Sequence, residues 1–271
     1  MQAQCGTDFS CASPGRRWGH ASTTMLLGET TTLLVFGGES TNWDDNTNTL
    51  TMDIHMAHFT ASFATWAEIR TKDRNGDPCA WGVDPGGSFL CPQARRDASI
   101  KVMSNDASNN GRLLVFGGLG AASAMPTSVG RAYLEGSTSA GVVALDDLWY
   151  LDMTPLRMEC VRGEEKCELL QWIKVDVPGE KPGGVGRWGA GMVLDLADNL
   201  YIIGGSTFDA SSREYSVLSD IYIFQLTDPY YKYCSATGQG LLATRAGVLT
   251  PFYIQCRDAF GRGTVVRFLA C

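Results

Sequence analysis

Several things are scarce or missing in this 271-residue chain. No apolar run approaches the ~20 residues that a membrane helix needs; the longest, such as residues 33–36 and 201–203, are strand-sized. Positive charge is in deficit, with 22 Lys and Arg against 29 Asp and Glu and a net charge of −7. Such a chain has no general attraction to phosphate backbones or anionic membrane surfaces, which argues against nucleic acid and membrane insertion. There are three histidines and no Cys-x-x-Cys pair, so a zinc site is not expected. No Gly-x-Ser-x-Gly elbow occurs, and three histidines leave little for a Ser/His/Asp triad. The opening Met1-Gln2-Ala3-Gln4-Cys5 has neither a basic n-region nor an apolar h-region and does not read as a signal peptide.

What is present is turn residues, short apolar runs and cysteine. The 31 glycines and 10 prolines make up about 15% of the chain, above the usual ~12%. The apolar runs are rich in β-branched and aromatic residues and are bounded by Gly, Pro, Asn and Asp, so they read as strands, with no convincing amphipathic helix between them. Six of the nine cysteines form local couples: Cys5 with Cys11, Cys79 with Cys91, and Cys160 with Cys167. Each couple sits in or beside a polar segment containing Gly or Pro. Short loops pinned by local disulfides are common in secreted proteins, so the couples favour an extracellular or secretory-pathway setting. The alternative is reduced loop thiols in a cytoplasmic protein. Because nine is odd, one cysteine is free or pairs beyond the chain.

A pattern repeats three times. An Arg opens a small-residue strand; an apolar strand follows and ends in Gly-Gly; a later strand carries aspartate and aromatics; a Trp-bearing strand closes the unit. The openings are Arg17-Trp18-Gly19-His20, Arg95-Arg96-Asp97-Ala98 and Arg187-Trp188-Gly189-Ala190. The second strands end at Gly37-Gly38, Gly117-Gly118 and Gly204-Gly205, and the first two are identical Leu-Leu-Val-Phe-Gly-Gly strings. Third strands fall at about 50–57, 147–152 and 220–224. Trp66 and Trp172 sit in the fourth strands, and Tyr230–Tyr233 stands in for the third unit's Trp strand. Paired glycines allow a sharp turn and close backbone approach. The closing Trp offers an apolar face for packing between neighbouring sheets.

This pattern resembles the kelch repeat over about residues 15–233, and the family implies four-stranded blades of a β-propeller. The blades would span about 15–69, 95–175 and 187–233, after an N-terminal segment 1–14. The Gly pairs recur at intervals of 80 and 87 residues, well above the ~50 of a standard unit, so insertions are expected at about 70–94, 119–143 and 153–171. Closed propellers have ~4–8 blades, so three imply a fragment of a larger multidomain protein, or self-association to close the ring.

After Tyr233 the texture changes. A Gly238-Gln-Gly240-Leu241 entry, an Ala246-Gly247 turn, the strand Thr250–Gln255 and an Arg257-Asp258-x-x-Gly261 turn resemble the start of a filamin-type immunoglobulin-like repeat. Phe252, Ile254 and Cys256 would share one face of that strand. A whole sandwich needs ~100 residues, so 234–271 would be its truncated beginning. The expected fold class is therefore all-β: a partial kelch-type propeller of three four-stranded blades, then an incomplete immunoglobulin-like sandwich.

Chemistry-bearing candidates each have a plainer reading. His55 and His58, three apart on a strand, point to opposite faces and do not make a metal pair. His20 is expected to make a structural hydrogen bond inside its blade. Residues 73–78, Asp-Arg-Asn-Gly-Asp-Pro, read as an Asx-rich turn, since the Gly falls too early for a calcium loop. Asp146 and Asp147, at a strand start, read as turn or solvated residues. Copper-radical oxidases within the kelch family also join a propeller to an immunoglobulin-like domain, but their tyrosine and histidine ligands do not map onto this sequence. No catalytic residue, cofactor or metal is assigned. The functional expectation is a non-catalytic protein-interaction or ligand-binding module that meets a protein or glycan through long disulfide-pinned loops. Trp43, Asp44, Asp45 and Trp81 are the candidate loop contacts, with Trp149 a further contact aromatic, and Trp43 and Trp149 read equally well as core. The alternatives are an extracellular carbohydrate-active or carbohydrate-binding protein and a cytoskeletal scaffold.

Overall fold

The structure, a computed structural model, describes residues 13–42, 47–59, 64–79, 90–103, 110–121, 142–157, 168–175, 186–209, 214–226, 230–238, 241, 250–258, 260 and 263–270. These residues are all-β, without an α-helix among them.

The first sheet is antiparallel, with β1 (Ala21–Leu27), β2 (Thr30–Asn42), β3 (Thr47–Phe59) and β4 (Ala64–Ile69) in sequence order. The short β5 (Thr71–Lys72) and β6 (Arg95–Arg96) precede the second sheet, built from β7 (Ser99–Met103), β8 (Arg112–Phe116), β11 (Leu148–Asp152) and β12 (Leu170–Val175). Its order is β5-β12-β11-β8-β7, with β5 added in parallel to the edge of β12. Between β8 and β11 the chain forms β9 (Leu119–Ala121) and β10 (Val142–Ala144), which join β6 in a small sheet. Ends of the 119–143 insertion are thus strand rather than loop. The third sheet has β13 (Gly191–Leu194), β14 (Leu200–Asp209) and β15 (Glu214–Phe224). The last has β16 (Tyr230–Thr237), β17 (Thr250–Arg257) and β18 (Gly263–Ala270).

One expectation is corrected here. Tyr230–Tyr233 does not close the third unit. The strand that begins at Tyr230 pairs with β17, so the third sheet has three described strands and ends on the edge of β15. In β17, Ile254 and Cys256 are half-buried while Tyr253 and Gln255 are exposed, as the alternation predicts.

Side-chain alternation stacks the first three sheets. Leu113 to Phe116 of β8 are all at most 2% exposed, so this strand is buried on both faces. Leu113, Val115, Trp149, Leu151 and Trp172 share a core with Leu34, Phe36, Ile54 and Met56 of the first sheet. Leu114, Phe116, Leu148, Tyr150 and Val175 point the other way and share a core with Leu200, Ile202 and Phe224 of the third. Trp172 packs between sheets as expected, edge-on to Phe36 at 6.0 Å between ring centroids. Trp66 is only half-buried, beside Ala57 on the face of the first sheet turned away from the second. The leading strands run together, with β7 between β1 and β13.

Candidate functional site

The Arg that opens each unit forms the same latch three times. Arg17 Nη1 donates to the Gly37 carbonyl at 2.9 Å, and its two Nη groups grip the Asp53 carboxylate at 2.6 and 2.9 Å. Arg95 does the same with the Gly117 carbonyl at 2.9 Å and Asp147 at 2.5 and 2.9 Å. Arg187 repeats it with the Gly204 carbonyl at 2.8 Å and Asp220 at 2.8 and 3.0 Å. The planar guanidinium fork suits this bidentate grip, and its remaining N–H reaches the bulged carbonyl. The Arg95 and Arg187 side chains are fully buried.

The paired glycines complete the latch. Gly37 and Gly117 have φ of +61° and +62°, where side chains are disfavoured. A Cβ there would lie 2.6 Å from the Arg95 carbonyl and 2.5 Å from the Arg187 carbonyl, each belonging to the next unit. A second link runs through the third residue of each opening. Gly19, Asp97 and Gly189 all have left-handed backbone, with φ of +63°, +55° and +63°. The Asp97 N–H donates to the Gly19 carbonyl at 2.6 Å, and the Gly189 N–H donates to the Asp97 carbonyl at 2.9 Å. The units are therefore joined head to tail by a backbone relay.

Electrostatics agree with the geometry. Burial pushes the Asp53 pKa up, but the hydrogen bond from His55 at 2.7 Å and the hydrogen bond and charge of Arg17 outweigh it, holding it well below the usual carboxylate range. Burial also opposes ionisation of Asp147, and the Arg95 charge and hydrogen bond, the Trp149 N–H at 2.6 Å and Lys174 together overcome it. Asp220 is lowered chiefly by its hydrogen bond from Arg187. These carboxylates are committed to structure and are poor acid/base candidates. Asp97 goes the other way, raised by burial despite Arg96 at 2.9 Å.

A cleft of about 530 Å³ lies beside the first latch, lined by residues 49–53, 68–71, 78–79 and 169. Glu68 and Arg70 are exposed at its rim, with Met52 and Ile69 beneath. Its wall is the start of the 70–94 insertion, which is anchored three ways. The Cys79–Cys91 disulfide closes it, the Cys79 N–H donates to the Thr71 carbonyl at 2.9 Å, and the Leu170 N–H donates to the Arg70 carbonyl at 3.1 Å.

Other sequence-level candidates separate clearly. Arg17, Arg95, Arg187 and the three Gly pairs come together in the latches. His20 is exposed rather than held inside its sheet, because its position precedes β1 on the surface. The buried histidine is His55, while His58 is half-buried. Asp147 is not a solvated turn residue but the partner of buried Arg95. Trp149 is core, at 1% exposure. Asp73 forms the expected Asx turn, accepting from the N–H groups of Asn75 at 2.8 Å and Asp77 at 3.0 Å. The candidate loop contacts Trp43, Asp44, Asp45 and Trp81 lie outside the described residues.

Of the three expected cysteine couples, the structure forms one, Cys79–Cys91. The other two, Cys5 with Cys11 and Cys160 with Cys167, lie outside the described residues. A further disulfide, Cys234–Cys256, joins β16 to β17 and was not foreseen, its partners being 22 residues apart. Among the described residues no group of His, Cys, Asp and Glu is arranged to hold a metal ion, and no helix is long and apolar enough to cross a membrane.

No protein-family model and no curated protein matches the chain. Among solved structures it is similar to a chain in a cryo-EM structure of RAG in complex with one melted RSS and one unmelted RSS, at 14% identity and a TM-score of 0.42. That likeness covers 93% of this chain and 65% of the other, and at this level it carries no inference.

Proposed function

We propose that the chain carries three kelch-type β-propeller blades acting as a non-catalytic binding module, followed by strands of a filamin-type immunoglobulin-like repeat. The observation that carries the reading is the threefold latch, with its head-to-tail relay, beside a cleft walled by a disulfide-anchored insertion. Latched carboxylates make a rigid scaffold, and binding specificity then resides in the insertions. The cleft presents Glu68, Arg70 and three threonines over an apolar floor, with the second acid of its lining, Asp53, already held by Arg17. That chemistry suits a polar peptide segment or a glycan, held by hydrogen bonds and one charge of each sign. The two disulfides favour an oxidising compartment over the cytoskeletal-scaffold reading.

The test is a peptide and glycan array probed with the wild type and with a double variant carrying Glu68→Lys and Arg70→Glu. Both side chains are exposed, so the variant keeps its fold. The reading expects a set of ligands lost or weakened at least tenfold in the variant. Identical profiles for the two proteins refute the cleft as the binding site.

A further inference from the structure

The sheets stack in one direction, and the stack ends on an unfinished face. In β2 and β8 the residues turned toward the next unit are Leu34 and Phe36, then Leu114 and Phe116, all at most 2% exposed. The matching residues of β14 are Tyr201 and Ile203. By register, Tyr201 lies between Val193 and Ile223, and Ile203 lies between Gly191 and Ile221. Here Val193, Ile203, Ile221 and Ile223 are 48%, 41%, 61% and 56% exposed. A contiguous apolar patch of this kind on a sheet face marks an interaction surface.

The backbone features of the two internal junctions are open at the same end. Among the described residues no N–H donates to the Gly189 carbonyl, whereas the Gly19 and Asp97 carbonyls each accept one from the following unit. A Cβ at Gly204 would meet only the Leu218 carbonyl of its own sheet, with no following Arg carbonyl over it. The complementary half sits at the other end of the chain. Among the described residues the Gly19 N–H has no backbone acceptor. The face of the first sheet turned away from the second also carries Phe59, 45% exposed, and the half-buried Leu33 and Trp66.

We propose that this face takes a second copy of the chain, whose first sheet docks head to tail on the third sheet of its partner and reuses the junction already present twice within each chain. The Gly19 N–H of one copy would meet the Gly189 carbonyl of the other. Two such seams related by a twofold axis close a ring of six units, inside the ~4–8 of closed propellers. The inference rests on the propeller reading above.

The experiment is sedimentation velocity across the micromolar range on the wild type and on two surface variants, Ile221→Lys and Phe59→Asp, each checked for an unchanged melting profile. The wild type is expected to sediment as a dimer of twice 29.3 kDa, and each variant as a monomer. Mixing the two variants should restore a dimer, because each retains the surface that the other lacks. A monomeric wild type overturns the proposal. So does a Phe59→Asp variant that stays dimeric while Ile221→Lys does not, since that result means third sheets pairing with each other. Either failure leaves the stacked-unit reading to stand or fall separately, on the stability of the Arg95–Asp147 latch.

Discussion

Removing the Asp147 carboxylate isolates the Arg95 guanidinium, whose side chain has no solvent exposure. Breaking a buried ion pair from one side costs about 3–5 kcal/mol, because the remaining charge is left uncompensated. Arg187 is as buried as Arg95, but its partner Asp220 is 35% exposed against 13% for Asp147, so water entering from the carboxylate side offsets part of the lost charge and removing Asp220 costs about 1–2 kcal/mol. Asp53, at 25% exposure and with His55 as a second partner, falls between them. The expected order of destabilisation is Asp147→Ala, then Asp53→Ala, then Asp220→Ala. Natural domains are stable by only ~5–15 kcal/mol, so Asp147→Ala removes a large share. At ~2–4 °C per kcal/mol for a domain of this size, its melting point drops by roughly 6–20 °C. The assay is urea denaturation followed by tryptophan fluorescence, since Trp149 and Trp172 are core residues beside this latch. A double variant carrying Arg95→Met and Asp147→Leu should recover most of the loss by replacing the pair with apolar volume. An Asp147→Ala cost below about 1 kcal/mol, or a larger cost for Asp220→Ala, refutes the assignment of a buried, shared latch.

Further outcomes follow from the same geometry. Because the folded pKa values of Asp53, Asp147 and Asp220 lie below the ordinary value, their contribution is present above the unfolded pKa of ~3.9 and is lost as pH falls through the folded values; unfolding free energy measured from pH 6 downward should decline through that acidic window. Asp97 is raised, so its effect has the opposite sign, with stability lost as pH rises from the unfolded value through the folded one; Asp97→Asn should be neutral or stabilising at pH 7 where Asp147→Asn is destabilising. Thiol titration of denatured, unreduced protein from its native source should find at most five of nine cysteines reactive, and nine would contradict both disulfides. Replacing Cys79 and Cys91 by Ala and Ser should cost about 2–3 kcal/mol in the same urea assay, and should weaken ligand capture by the adjoining cleft.

Much of the fold could be read from the sequence because its repeats are marked by residues with special backbone or packing needs. The Arg openings, the Gly pairs and the apolar second strands each located a strand or turn correctly. The aspartates were harder. Asp53, Asp147 and Asp220 serve equivalent latches, but Asp147, at a strand start, ordinarily reads as a turn residue, and Asp53 and Asp220, inside β3 and β15, carry no local mark of a partner. Only their distance to the latching Arg, 33 to 52 residues away in sequence, shows their role. A repeat alignment centred on the Arg and Gly pair, rather than on the apolar strands, carries that signal. Asp97 was similarly hidden, since only superposing it on Gly19 and Gly189 exposes its left-handed backbone. The fate of Tyr230–Tyr233 is set by the pairing of β16 with the later strand β17 rather than with the edge of β15, and local pattern does not report which edge a strand joins. Closeness in sequence pointed to Cys79–Cys91 but not to Cys234–Cys256, whose partners meet only because β16 and β17 pair. The cleft was illegible because it arises where β3, β4 and an insertion converge in space.

The measurement that tests stacked, head-to-tail units most directly is native-state hydrogen exchange at the Asp97 and Gly189 amides. Both lie outside the regular strands, yet each donates to the carbonyl of the preceding unit. The account predicts that they exchange only with global unfolding, as slowly as the amides of β8. Exchange at the rate of an unprotected loop would contradict the relay, and with it the reading of three units as one continuous stack.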